Sequence, residues 1–214
     1  MTNIIIAIDG TSASGKGTLS KLVAKEMNFA YLDTGLMYRY LAYLAQQNNC
    51  IHDEEKIIKI AKTTNFSEIT NIEILKSDEI ASITSKYIAK ITKAREVLNA
   101  YQIDFGKNPN KYSSESKNGA ILDGRDIGTK IFPNATYKFF ITASTQERAN
   151  RRYKELTANN SHINYQDILI SLQKRDVQDR ENGNLIQAND AIIIDTTNMN
   201  IEESFACLKK YIIK

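Results

Sequence analysis

The sequence predicts an α/β fold, a five-stranded parallel sheet with helices on both faces, and three observations carry that reading. Five short apolar runs recur along the chain: "NIIIAID" (3–9), "FAYLD" (29–33), "GAILD" (119–123), "YKFFITA" (137–143) and "AIIIDT" (191–196). The first is an uninterrupted β-branched run, the mark of a strand buried on both faces. Stretches with apolar residues at helical spacing alternate with these runs. The first strand passes through a glycine-rich turn straight into a helix.

Taken in order, "KGTLSKLVAKEMN" places Leu19, Leu22, Val23 and Met27 on one helical face. "TGLMYRYLAYLAQQ" predicts a second helix with Thr34 as its cap. The rhythm then breaks. Residues 50–103 carry helical patterns, "EEKIIKIAK" and "IASITSKYIAKITKAREVL", around one strand-like stretch, "TNIEIL". We read them as an insert on the sheet edge that closes over a ligand, with residues 1–49 and 104–214 as the core domain. The polar run 106–119 around a proline predicts a loop. Ser144 with Glu147 forms a capping-box pattern for "TQERANRRYKELT". "YQDILISLQKRDVQDR" turns Ile168, Leu169 and Leu172 to one side, and "NIEESFACLKKYII" is the final helix.

A chain of 214 residues with 42% hydrophobic content can bury one core plus a small insert. The net charge of +3 suits anionic small molecules. No dense basic stripe interleaved with aromatics suggests a nucleic-acid groove, so no nucleic-acid partner is expected. Cys50 and Cys207 form no C-x-x-C pair, which argues against a zinc site or disulfide framework and for a reducing, cytoplasmic location. No stretch approaches eighteen apolar residues and no leader pattern is present, so neither a membrane partner nor secretion is expected. A monomer is expected.

The stretch "IDGTSASGKGT" (8–18) carries the strongest motif, Gly-x-x-x-x-Gly-Lys between a strand and a helix. Backbone N–H groups of Gly10, Thr11, Ser12, Ala13, Ser14, Gly15, Lys16, Gly17 and Thr18 would wrap a donor β-phosphate at the positive end of the helix. Lys16 would reach the β- and γ-phosphates. Gly17 stands where a magnesium-binding hydroxyl is usual, leaving Mg2+ to waters, Thr18, Asp9 or Asp123.

Two counts extend the pattern. Six of nine glycines, Gly10, Gly15, Gly17, Gly35, Gly124 and Gly128, lie in three short stretches, where close backbone approach is wanted. Twenty lysines stand against eight arginines, so each arginine suggests a specific need. Apart from Arg95, the arginines follow the glycine stretches or stud the helices after the fourth strand. A guanidinium fork suits phosphate oxygens better than an ammonium.

With "GKGT", the loop resembles that of the nucleoside monophosphate kinases. "LDTGLMYR" (32–39) and "DGRDIGTKIFP" (123–133) resemble signatures of the bacterial cytidylate kinases, with "RANRRYKEL" and "KRDVQDR" at the places of the family's lid arginines and its second Arg/Asp pair. The resemblance covers most of the chain. It implies a P-loop NTPase-type fold with a small insert binding the nucleoside monophosphate and a helical lid near 148–165. It also implies magnesium-dependent transfer of a phosphoryl group from ATP to CMP or dCMP. Arg39, Arg125 and Arg175 would hold the acceptor phosphate, and Thr34 and Tyr38 belong to the same acceptor signature. Arg148, Arg151 and Arg152, at i, i+3 and i+4, would stand in the lid over the donor phosphates, with pairing to Glu147 or Glu155 as the alternative for one or two of them. Asp126 would accept from the cytosine amino group, Arg95 would donate to the ring, Ser85 would add a contact, and Asp179 would meet the sugar hydroxyls. Uracil would set its O4 against Asp126, acceptor against acceptor.

The chain departs from the pattern in three places. Thr11 replaces a proline. The interval from Ser85 to Arg95 is one residue longer and lacks its proline, which leaves Thr84 as an alternative to Ser85. Asn182 stands where the family carries an arginine, and Arg180 is the residue expected to take over that phosphate contact. An acceptor that is already an anion needs no general base. His52 and His162 lie in polar, loop-like sequence and are read as surface residues. Other classes fit less well. A guanine-reading Asn-Lys-x-Asp is missing, and a sugar-alcohol acceptor would call for a base that is not evident.

Overall fold

Ile6, Ala7 and Ile8 lose all contact with solvent in strand β1 (Ile4–Gly10), the behaviour expected of an apolar run covered on both sides. The computed structural model describes residues 4–70, 72–157, 164–181, 183 and 185–212. The other apolar runs form β2 (Ala30–Asp33), β3 (Gly119–Gly124), β4 (Tyr137–Thr142) and β5 (Ile192–Asp195), in a five-stranded parallel sheet of order β2-β3-β1-β4-β5. The register sets Asp9 opposite Gly124 and Gly10 opposite Ile141, so the phosphate-loop motif and the "DGRDIGT" segment leave adjacent strands side by side. Ligands of such sheets gather outside the carboxyl ends of the strands.

The helices are α1 (Lys16–Met27), α2 (Thr34–Gln47), α3 (Glu54–Thr63), α4 (Ile72–Leu75), α5 (Asp78–Lys86), α6 (Thr92–Lys107), α7 (Thr145–Thr157), α8 (Tyr165–Glu181) and α9 (Ile201–Ile212). The chain divides into two compact units, Met1–Tyr31 with Lys117–Lys214, and Leu32–Ser116. In the first, Leu19 and Val23 of α1 and Leu208 and Ile212 of α9 close over Ile8, Ile121, Phe139 and Ile194 of the sheet. A smaller cluster of Ala149, Ile168 and Leu172 joins α7 to α8, and Ala13 of the phosphate loop packs against it. In the second unit α2 packs on α3 and α5, and α3 on α6. Tyr40, Phe66, Tyr101 and Tyr112 form a chain of aromatic contacts through it. Because α2 packs on these helices, this unit runs from Leu32, wider than the 50–103 expected from sequence.

Three local expectations are corrected. "TNIEIL" contributes the short helix α4 rather than a strand; a lone strand among helices would leave its backbone groups unpaired. Asp33, not Thr34, caps α2, its carboxylate accepting from the Leu36 N–H at 3.1 Å. A Cβ at Gly35 would stand 3.2 Å from that carboxylate, so the glycine leaves room for the cap. The run 106–119 is not all loop, because α6 extends to Lys107 and a 3-10 turn spans Pro109–Tyr112. Asp104 fastens that turn by accepting from Asn108, Lys111 and Tyr112. The Ser144 cap forms, with its hydroxyl accepting from the Glu147 N–H at 3.2 Å. Among the described residues no helix is long and apolar enough to cross a membrane.

Candidate active site

The glycine-rich loop turns from β1 into α1 with Gly15 in the left-handed region at φ 88°, where glycine carries no penalty, and Ala13 at φ 59°. Its carbonyl oxygens are gripped from behind. Arg148 donates to Ser12 O at 3.2 Å, and Arg151 donates to Ser14 O at 3.2 Å. The Thr196 hydroxyl also reaches Ser14 O, at 3.1 Å. No peptide bond here is cis, and in a trans peptide C=O and N–H point in opposite directions. The N–H groups of Ala13 and Gly15 therefore point away from the two guanidinium groups, as a phosphate nest requires. Ala13 is the residue whose packing against α7 and α8 holds the loop tip.

Arg148 is buried, and all its donors are committed: Nε to Ala143 O, the terminal nitrogens to Ser12 O, Thr145 and, in a fork, Asp176 at 3.0 and 2.5 Å. Arg151 pairs with Glu147 and donates to the Thr196 carbonyl oxygen, and Arg152 pairs with Glu155. So the i, i+3, i+4 arginines of α7 do not share one task. The first two brace the loop, and the third lies along its own helix.

Around the end of β3, Arg125, its side chain 17% exposed, lies beside Arg175 and forms an ion pair with Asp179. Burial, aided by the like charge of Arg175, pushes the Arg125 guanidinium down to about 10, and Asp179 opposes that shift. It remains charged at neutral pH. Asp126 follows, mostly buried, with Lys130 at 3.4 Å. Lys130 also donates to Gly183 O at 2.9 Å. Arg180 lies exposed on the last turn of α8, and Asn182 lies outside the described residues.

Asp9, at the end of β1, spends both carboxylate oxygens on backbone, accepting from the Ile127 N–H at 2.8 Å and the Gly128 N–H at 2.7 Å. These belong to the π-helical turn Ile127–Ile131. Asp123 accepts from the Tyr31 hydroxyl at 2.8 Å, and a Cβ at Gly17 would come within 3.3 Å of the same carboxylate oxygen. The missing hydroxyl at position 17 thus coincides with a carboxylate drawn close to the loop. Thr18 is exposed on α1. Among the described residues no group of three or more His, Cys, Asp or Glu side chains gathers to hold a metal.

Desolvation lifts Asp9 to about 6 from 3.8, against the two N–H groups that pull it down. Because the folded-state value is the higher, protonated Asp9 favours the fold fully below about pH 4, and that contribution disappears as pH rises through 6. By the standard conversion it amounts to about 3 kcal/mol. Unfolding free energies measured from pH 4 to 7 should accordingly fall less with pH in Asp9→Asn than in the parent. An unchanged slope contradicts the raised value.

In the second unit Arg95 lies over the ring of Tyr38 with 6.0 Å to its centroid, and donates to Ala89 O at 3.4 Å. Arg39 donates to Leu75 O at 2.8 Å, and Thr34 is buried. The hydroxyls of Thr84 and Ser85 both bond back into α5, to Ile80 O and Ser82 O, so the two alternatives stand alike. His52 is exposed and meets Tyr87 edge-on. His162 lies outside the described residues. Sequence reasoning missed Asp176, Thr196 and Lys130. "KRDVQDR" held the signal for the first, an acidic residue beside Arg175, and nothing local pointed to the other two.

A strand, a glycine-rich loop with Lys16 at a helix N-terminus, and arginines collected at the strand ends of a parallel sheet define a P-loop phosphotransferase. Solved structures agree on the fold. An uncharacterized protein from Eubacterium ventriosum ATCC 27560 aligns with TM-score 0.51 at 14% identity over 98% of each chain. The chain belongs to the cytidylate kinase family, whose model, described as "Cytidylate kinase", matches residues 6–213. Relatives bearing that name include one from Bartonella bacilliformis, 44% identical over 96% of this chain and 93% of that protein. Another, from Clostridioides difficile, is 38% identical over 95% of each, and one from Fusobacterium nucleatum is 39% identical over 100% and 99%.

Proposed function

We propose that this chain is a cytidylate kinase, moving the γ-phosphoryl group of ATP to the phosphate of CMP or dCMP and releasing ADP with CDP or dCDP. The observation that carries the reading is the mostly buried Arg125, beside Arg175 and Asp179 at the end of β3, directly before Asp126. A guanidinium kept charged while largely withdrawn from water suits a phosphate dianion. Family membership and relatives named cytidylate kinase support the choice of acceptor.

The acceptor phosphate is an anion near neutral pH, so its oxygen attacks the γ-phosphorus without a base, and the terminal bridging bond of ATP breaks toward ADP. The protein's tasks are to neutralise and align two polyanions. Lys16 and the loop N–H groups take the donor's β- and γ-phosphates. Arg125, Arg175 and Arg39 hold the acceptor phosphate, with Arg180 serving where the family arginine is replaced by Asn182. Asp126 and Arg95, with Ser85 or Thr84, read the base; Asp179 reads the sugar; Thr34 and Tyr38 line the acceptor. Arg148 and Arg151 serve the reaction by bracing the loop, and Arg152 is the α7 arginine assigned to the donor phosphates. Residues 50–103 act as the acceptor-binding insert and 148–165 as the lid, of which 158–163 lie outside the described residues.

Mg2+ on the donor phosphates would supply the remaining charge neutralisation. The donor set fits a hard cation held largely through water: Asp123 beside the loop and Thr18, with Asp9 occupied by backbone. The enzyme is read as a cytoplasmic monomer acting on free nucleotides.

The test is ADP formation from Mg-ATP with CMP, dCMP, UMP, AMP or GMP offered singly, beside a blank without acceptor. Turnover should concentrate on CMP and dCMP. In Asp126→Asn the preference for CMP over UMP should shrink by about tenfold or more, the scale of one lost charge-assisted contact. ATP hydrolysis indifferent to every monophosphate would remove the transferase reading.

A further inference from the structure

We propose that Asp9 is a positioning residue for acceptor selection, fixing from within the sheet the turn that carries Asp126. The inference rests on the assignment of Asp126 to the acceptor base. A carboxylate 3% exposed is a costly thing to keep at the end of a central strand unless its oxygens are used. Here both are used, and on neighbouring N–H groups of one turn, Ile127 and Gly128, at 2.8 and 2.7 Å. The turn sits tightly against it. A Cβ on Gly128 would stand 3.3 Å from Asp9 Oδ2.

Asp126 is the residue immediately before the two anchored N–H groups. Lys130, four residues on in the same turn, approaches its carboxylate at 3.4 Å. Two bonds to consecutive backbone donors fix both the position and the tilt of a turn, which one bond cannot do. A base reader works only when its acceptor is placed to within about half an ångström. Asp9 is also covalently joined to Gly10, the first residue of the donor loop. One side chain thus ties the segment assigned to the acceptor to the strand that presents the donor loop.

The test compares Asp9→Asn, Asp9→Ala and Gly128→Ala in the full chain, each with its melting temperature and its steady-state constants for ATP, CMP and UMP. Asn offers one acceptor and turns an amide donor toward an N–H, so half the anchor is lost; Ala removes all of it. Gly128→Ala leaves Asp9 in place and sets a Cβ 3.3 Å from both Asp9 Oδ2 and the Lys138 stem, so the turn or these side chains must give by a few tenths of an ångström, which keeps the question answerable where an Asp9 variant folds poorly.

The expected result is a KM for CMP raised about tenfold in Asp9→Asn and further in Asp9→Ala, with the KM for ATP held within about twofold and a smaller CMP-over-UMP preference. Gly128→Ala should show the same signature in smaller measure. A fall in kcat common to CMP and UMP, with unchanged KM values and a loss of melting temperature in proportion, overturns the proposal, because a purely structural bond would do that. Asp126→Asn separates two kinds of failure. A CMP-selective defect there with none in the other three variants overturns the positioning role alone. No such defect in any of the four overturns the base-reading assignment, and the positioning role with it.

Discussion

Replacing Asp176 by Ala should lower the unfolding free energy by about 3–5 kcal/mol, the usual consequence of stranding one partner of a buried ion pair. Arg148 is 3% exposed, and its fork onto Asp176 is the link between α7 and α8 beside their small apolar cluster. With Asp176 gone, the guanidinium keeps its bonds to Ala143 O and Ser12 O but carries an unbalanced charge. For a chain of this length the melting temperature should fall by about 10 °C. Loop bracing adds a functional signature: the KM for ATP should rise in the variant. Chemical denaturation and ATP kinetics check both. A loss below about 1 kcal/mol, the value of an exposed pair, contradicts the buried clamp.

Gly10→Ala should be comparably severe for a different reason. The new Cβ would lie 2.0 Å from Ile141 O, in the strand paired with β1. Neither atom can yield, since both belong to backbone in register, so β4 or the start of the loop must shift. A loss of about 3 kcal/mol or more is expected, at the upper end of overpacking effects. Gly17→Ala is the comparison. Its Cβ would meet the far end of the Asp123 side chain at 3.3 Å, which can move a few tenths of an ångström. It should cost under about 1 kcal/mol in stability. Similar losses in both variants would contradict the distinction between a backbone and a side-chain neighbour.

The five strands were legible because uninterrupted apolar runs of that length leave few other places to be buried. α7 and α2 were legible because their amphipathic spacing is bounded by clear turns, although the cap of α2 lay one residue earlier than expected. "TNIEIL" misled because three β-branched residues in six outweigh a helical period too short to register. At the site, the loop, Arg125 and Asp126 of "DGRDIGT" and Arg175 and Asp179 of "KRDVQDR" could be named from sequence. What they do to one another could not. Spacing placed Arg148, Arg151 and Arg152 on neighbouring positions of a helix but carried no information on which side the loop would lie. Arg148's partner Asp176 stands 28 residues away, and Arg151's bond to Ser14 O spans 137. Asp9 was visible as a carboxylate near the loop. That both its oxygens would be consumed by backbone 118 and 119 residues on was not.

The bracing of the donor loop also constrains when that loop can exist. Its residues leave the ribosome before the groups that brace it, and the local strand–turn–helix can form early. The groups that turn its carbonyls outward arrive from Arg148, Arg151 and Thr196, the last separated from Ser14 by 182 residues. Contacts of such sequence separation close late, after the loop-closure entropy of the intervening chain has been met. The motif synthesised before its braces is therefore completed only after them. Nucleotide affinity should emerge only when β5 has docked, so a nascent chain short of that point has no finished cradle with which to sequester ATP.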